Sequence, residues 1–186
     1  MKRFFKLLPI IAVALMISCN QSNVKKVDAT TAEVTVGGQE NVKDSDSQKD
    51  VVKVAASSKD HTTLVAAVKQ AGLVDALSNA GPFTVFAPTN AAFDKLPKGT
   101  VESLMKDGKK ADLENILQYH VYVGILKTDM MQDGQTFNEV NGDNITISKK
   151  DGKVTVNGNA HIIASIPASN GIIHVIDEVL LPPAKK

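Results

Sequence analysis

The chain has 186 residues, 21 basic and 20 acidic, with four histidines, one cysteine and no tryptophan. Its 43% apolar and 22% charged content is ordinary globular composition, enough for one core-bearing domain plus accessory segments. A net charge of +1 excludes a strong electrostatic attraction to nucleic acid or acidic polymers, and a single cysteine excludes an internal disulfide framework or a cysteine-based zinc cluster.

Lys2, Arg3 and Lys6 precede an apolar stretch of 11 residues, Leu7 to Ile17. As a helix it is ~16 Å long, short of a ~30 Å bilayer core, so residues 1–18 read as a secretory signal and not as a span. The run closes on Met16-Ile17-Ser18-Cys19, which resembles the lipobox of bacterial lipoproteins, with Met16 where leucine is usual. That resemblance implies a diacylglyceryl group on the Cys19 sulfur, cleavage after Ser18, and a lipid bilayer as partner. Acyl chains would hold it there at ~0.8 kcal/mol per buried methylene. Losing residues 1–18 removes three of the 21 basic residues and no acidic one, which leaves 18 against 20 and a net charge of −2. Asn20, and not aspartate, follows the cysteine, and in such lipoproteins this favours the outer membrane, on its periplasmic or its surface side.

Residues 19–50 are expected to be the lipidated end and a disordered tether. They are rich in Gln, Asn, Ser, Thr, Lys and Asp, with too little apolar surface to offset the entropy of ordering. A coil of about 31 residues reaches ~30 Å on average, enough to hold a domain clear of a membrane. Thr30 to Val36 (TTAEVTV) alternates weakly as a strand would, but has no neighbour to pair with.

From Val51 to Pro183 the pattern is that of a folded domain. Leu64, Ala67, Val68 and Ala71 have helical spacing, with Thr62 and Thr63 as caps and Gly72 as the stop. Leu73 to Asn79 predicts a second helical turn, closed by Gly81-Pro82, and Phe83 to Ala87 a short apolar strand ended by Pro88. Asn90 or Thr89 caps a brief helix that stops at Pro97. Thr100 caps another through Met105, and Leu113, Ile116 and Leu117 mark a helix running into Tyr119-His120. The last third is β: Asn144 to Ser148 and Val154 to Val156 flank a Lys150-Asp151-Gly152 turn, Asn157-Gly158 leads into His161 to Ile163, and Gly171 to Asp177 is a strand covered on both faces. Helices first and strands later is an α+β order.

Phe83 to Phe93 (FTVFAPTNAAF) and Asn170 to Pro183 (NGIIHVIDEVLLPP) resemble the two signature boxes of the fasciclin (FAS1) domain. Between them, Ile116 to Gly124 (ILQYHVYVG) is similar to the tyrosine–histidine segment of that family, and Val154 to Gly158 to the strand and turn before the second box. The resemblance spans residues 51–183 and implies a wedge-shaped β-sandwich of about seven strands with several packed α-helices. It also implies secreted or tethered modules of adhesion, matrix and biofilm, without catalytic activity or cofactor.

Tyr119 and His120 are the candidate adhesion residues. In animal members a tyrosine–histidine segment flanked by branched aliphatics is assigned to integrin binding, and the competing expectation is that both rings pack at a helix–strand junction with their polar tips on backbone. The Asp-Ile pair that precedes the second box in the family is replaced here by Ser165-Ile166, and there is no Arg-Gly-Asp. His174 and Asp177, three apart on a strand, project to opposite faces, and no serine partner or Gly-x-Ser-x-Gly elbow accompanies them, so no catalytic residues are assigned. His61, His120, His161 and His174 lack compact ligand spacing, so no metal site is expected. The reading is a cell-envelope lipoprotein that contacts a protein or glycan partner through one fasciclin domain. Its rival is a periplasmic or surface accessory protein that binds a small ligand.

Overall fold

Residues 48–183 are described by the computed structural model. Asp50, counted with the tether above, is part of the fold: its Oδ1 accepts the Lys53 amide at 2.8 Å and caps α1 (Val51–Ala56). That cap lets VVKVAA, a run with β propensity, start a helix, which is why α1 was not legible from composition. A 3₁₀ turn (Lys59–His61) leads into α2 (Thr62–Ala71), which ends at Gly72 in the left-handed conformation, φ 76°. Then follow α3 (Val74–Ser78), β1 (Phe83–Pro88), α4 (Asn90–Asp94), α5 (Thr100–Leu104) and α6 (Lys110–Gln118).

Two expected caps move. Thr62 and Thr63 lie inside α2, whose cap position, His61, makes no side-chain bond to the helix. The Thr63 amide is held instead by Asn90 Oδ1 at 3.0 Å, from another element. Thr100 likewise lies within α5, because Gly99 at φ 84° takes the cap position in a backbone conformation that favours glycine. Thr89 is the cap of α4, its Oγ1 accepting the Ala92 amide at 3.2 Å.

The remaining elements are β2 (Val121–Val123), β3 (Thr136–Asn138), β4 (Asn144–Lys150), β5 (Lys153–Val156), β6 (Ala160–Ala168) and β7 (Gly171–Ile176). All seven strands form one mixed sheet in the order β2-β1-β7-β6-β5-β4-β3, in which only β1 and β7 run parallel. Its ends meet: the Val140 N–H, in the turn after β3, donates to the Val121 carbonyl on β2 at 2.9 Å. The β4–β5 hairpin turns on Asp151 (φ 49°) and Gly152 (φ 75°), the residue pair a two-residue turn asks for. β2 and β3, at three residues each, are too short for alternation to announce them.

The parallel pair at the centre is buried on both faces, β7 over five consecutive residues. Val85, Ala87, Ile173 and Val175 face the helices, against Leu64, Val68, Leu113 and Leu117. Phe86 and Ile176 face the opposite way, into a second core with Ile145, Ile147 and Val156. Phe86 is fully enclosed, and burying such a side chain contributes ~1.5–3 kcal/mol. Gly171 opens β7 because a Cβ at that point would collide with the Phe83 carbonyl.

Candidate functional site

The segment that carries Tyr119 and His120 leaves α6 and enters β2, and the two rings go into different parts of the interior, 2% and 3% exposed. The His120 Nδ1 lies 2.8 Å from the Ile116 carbonyl, which can only accept, so Nδ1 carries the proton. Nε2 is then an acceptor, and it takes the Leu180 N–H at 3.0 Å. Complete burial pushes its pKa down to about 4, against a small opposing effect of the Ile116 carbonyl, so the ring is neutral. Two apolar cavities of about 30 Å³ flank it, each with room for little more than a water and without polar groups to hold one. The Tyr119 hydroxyl donates to the Asn144 carbonyl at 2.9 Å and accepts from Asn157 Nδ2 at 2.9 Å, and burial raises its pKa.

The polar residues of the two box segments hold helix ends. Asn90 accepts from Thr63 N–H and donates to the Lys59 carbonyl at 3.0 Å, fixing the start of α2. Asn170 accepts the Val51 N–H at 2.9 Å and donates to the Leu77 and Asn79 carbonyls at 2.8 and 2.9 Å, joining the start of α1 to the end of α3. Thr84, fully buried on β1, donates to the Gly124 carbonyl at 2.7 Å and accepts the Leu126 N–H at 2.9 Å. Only the residue types, not these long-range partners, were visible beforehand.

The fold gives His174 a serine partner that its neighbours in the sequence do not provide. β6 and β7 place Ser165 opposite His174, with Oγ 2.8 Å from Nδ1. The other ring nitrogen, Nε2, lies 2.6 Å from the Leu126 carbonyl and must donate to it. Nδ1 therefore accepts the serine proton. Burial lowers the His174 pKa, partly opposed by that carbonyl, and the Phe86 ring stands 5.6 Å away, centre to centre. Asp177 points elsewhere, to His161, accepting its N–H at 2.7 Å with the ring Nδ1 3.1 Å from the carboxylate.

Glu139, in the turn after β3, had drawn no notice in the sequence. Both of its carboxyl oxygens are buried and have no hydrogen-bond partner among the described residues. Desolvation pushes its pKa up to about 8, so the group is mostly an uncharged acid at neutral pH. The four histidines stay apart, and no cluster of three or more His, Cys, Asp or Glu able to hold a metal occurs among the described residues.

A family model for the fasciclin domain matches residues 59–182, well over half of the chain. The chain belongs to the fasciclin domain family. It is 46% identical over 176 residues to Protein sll1483 of Synechocystis sp., covering 95% of this chain and 89% of that one. It is 38% identical over 144 residues to the immunogenic protein MPB70 of Mycobacterium bovis, covering 74% and 72%. It is also 43% identical over 123 residues to transforming growth factor-beta-induced protein ig-h3 of Sus scrofa, matching 66% of this chain but 18% of that larger protein. Among solved structures, a FAS1 domain pair from the insect cell adhesion molecule fasciclin I superposes with a TM-score of 0.63 at 18% identity, over 72% of this chain and 51% of that one. That likeness is one of fold.

Within this fasciclin domain the two boxes form the parallel pair β1–β7 and the tyrosine–histidine segment the strand beside it, so all three resemblances fall on three neighbouring strands. A partner at the folded surface would touch neither the Tyr119 nor the His120 ring. The surface of the same segment is apolar: Val123 is 61% and Ile125 40% exposed, and Val140, on the turn that meets β2, is 46% exposed. Cys19 lies outside the described residues.

Proposed function

We propose that this protein is a non-enzymatic cell-envelope lipoprotein, anchored by acylated Cys19 in the outer membrane, whose fasciclin domain mediates adhesion, matrix or biofilm contacts with a protein partner. The observation that carries the reading is the pair of exposed apolar residues Val123 and Ile125 where the tyrosine–histidine strand ends. Apolar side chains grouped at a sheet margin favour a protein surface over a polar glycan. Membership of the fasciclin domain family, to which adhesion modules belong, supports the same class of function. Tyr119 and His120 then act indirectly, by holding the strand that presents this margin.

The test pairs a deletion strain with two complementing variants. Loss of aggregation or biofilm on deletion, rescue by the wild-type chain, and no rescue by Val123→Glu at unchanged melting temperature are the expected results. Full rescue by Val123→Glu would overturn the binding margin. Cys19→Ala should move the protein from the detergent to the aqueous phase, and unchanged partitioning would remove the anchor.

A further inference from the structure

Ser165 and His174 have the geometry of a nucleophile and its base. The hydroxyl is 2.8 Å from an imidazole nitrogen that must accept, and the opposite nitrogen is fixed by a carbonyl at 2.6 Å, which takes the orienting place an aspartate has in a serine triad. His174 is fully buried, while Ser165, whose hydroxyl donates to it, is an exposed residue.

The strand adds a donor. β5 pairs with β6 only at Ala160 and His161, so β6 has an open edge beyond them. Pro167 lacks an N–H, and its pair with Ile172 therefore does not exchange both hydrogen bonds. Antiparallel pairs alternate, so Ser165–His174, two residues away, is of the same kind, and the Ser165 N–H and C=O point outward along the open edge. The N–H of the nucleophile itself is then available to a developing oxyanion.

We propose that Ser165 is an acyl-accepting nucleophile that captures one acyl group from an activated ester or thioester. Oγ attacks the acyl carbon while its proton passes to His174 Nδ1. The bond to the aryloxide or thiolate then breaks, and that leaving group takes the proton from Nδ1. The products are a Ser165 ester and a free phenol or thiol, with no redox change. His174 is fully buried, so the base is kept from bulk water after acyl transfer and the acyl-serine accumulates. This is a stoichiometric modification, separate from the adhesive margin at β2.

The test treats the full chain with p-nitrophenyl acetate and reads the intact mass, then maps the adduct by peptide sequencing. One acetyl group per chain on Ser165 is expected, absent in Ser165→Ala and in chain unfolded by denaturant, with a rate whose acid limb lies below that of a free imidazole. A fluorophosphonate probe should label the same residue. No adduct, an adduct that persists in Ser165→Ala, or equal reaction of folded and unfolded chain would overturn the proposal. An unchanged melting temperature for Ser165→Ala keeps the comparison free of folding effects.

Discussion

The backbone N–H of Leu180 donates to Nε2 of His120 at 3.0 Å, across 60 residues of sequence. Through the same ring the Ile116 carbonyl accepts from Nδ1, so one neutral imidazole ties the last turn of α6 to the chain that leaves β7. The histidine of the tyrosine–histidine segment is a two-sided clamp between the family's recognisable segments.

Replacing His120 with alanine leaves the Leu180 N–H without a partner and joins the cavities beside it. Together these should cost about 3 kcal/mol, read as a lowered denaturant midpoint with an unchanged slope. A variant within ~0.5 kcal/mol of wild type would show that the clamp contributes little.

The same ring sets an acid limit. Its folded pKa of about 4 lies below the ordinary 6.5, so between those values the unfolded chain binds more protons and stability falls as pH falls. The loss is on the order of 3 kcal/mol and levels off below pH 4. Denaturant melts from pH 7 to 4 should show it, and a variant lacking His120 should be flatter there.

Glu139 acts in the opposite direction. Its folded pKa of about 8 lies above the ordinary value of 4.5, so in that window the folded state holds a proton that the unfolded state has released, and stability falls as pH rises. Glu139→Gln keeps the shape without the titration. It should gain about 2 kcal/mol at pH 7, with a smaller gain toward pH 4.5. Equal effects at both pH values would place the carboxyl in solvent.

Tyr119→Phe removes a hydroxyl that satisfies both the Asn144 carbonyl and Asn157. The expected loss is ~1–2 kcal/mol, with the fold kept. Tyr119→Ala also opens a cavity and should lose ~3–5 kcal/mol. If either variant lost partner binding at full stability, a direct contact role for the ring would replace the structural one.

Asn170→Ala deletes three hydrogen bonds at once, to Val51, Leu77 and Asn79. A loss of ~2–4 kcal/mol is expected, with α1 exchanging its amide protons first, because the other side-chain anchor at that end among the described residues is the Asp50 cap. Uniform destabilisation, with no early exchange in α1, would disprove the anchoring role.

Some of this was legible in the residues alone. Gly72 ends α2, Asp151-Gly152 turns the β4–β5 hairpin, and the apolar run of β7 is covered on both faces, because each depends on local backbone preference or on hydrophobic periodicity. The two boxes and the tyrosine–histidine segment identified the family for the same reason, as contiguous stretches. By contrast, the residue that supports Thr63 is Asn90, and the residue that binds His174 is Ser165. Thr63 and Asn90, 27 positions apart, meet only when α2 and α4 pack, and Ser165 and His174, 9 apart, only in the register of β6 and β7. Glu139 was silent because its property is a buried carboxyl with no hydrogen-bond partner among the described residues, which only enclosure creates. The amino-acid sequence determined the elements, the family and the polar residue types, since these follow from neighbouring side chains. The tertiary structure alone decided which polar groups meet, which carboxyl is deprived of water and which side of the tyrosine–histidine strand faces out, since burial and hydrogen bonding belong to the packed arrangement and not to the chain.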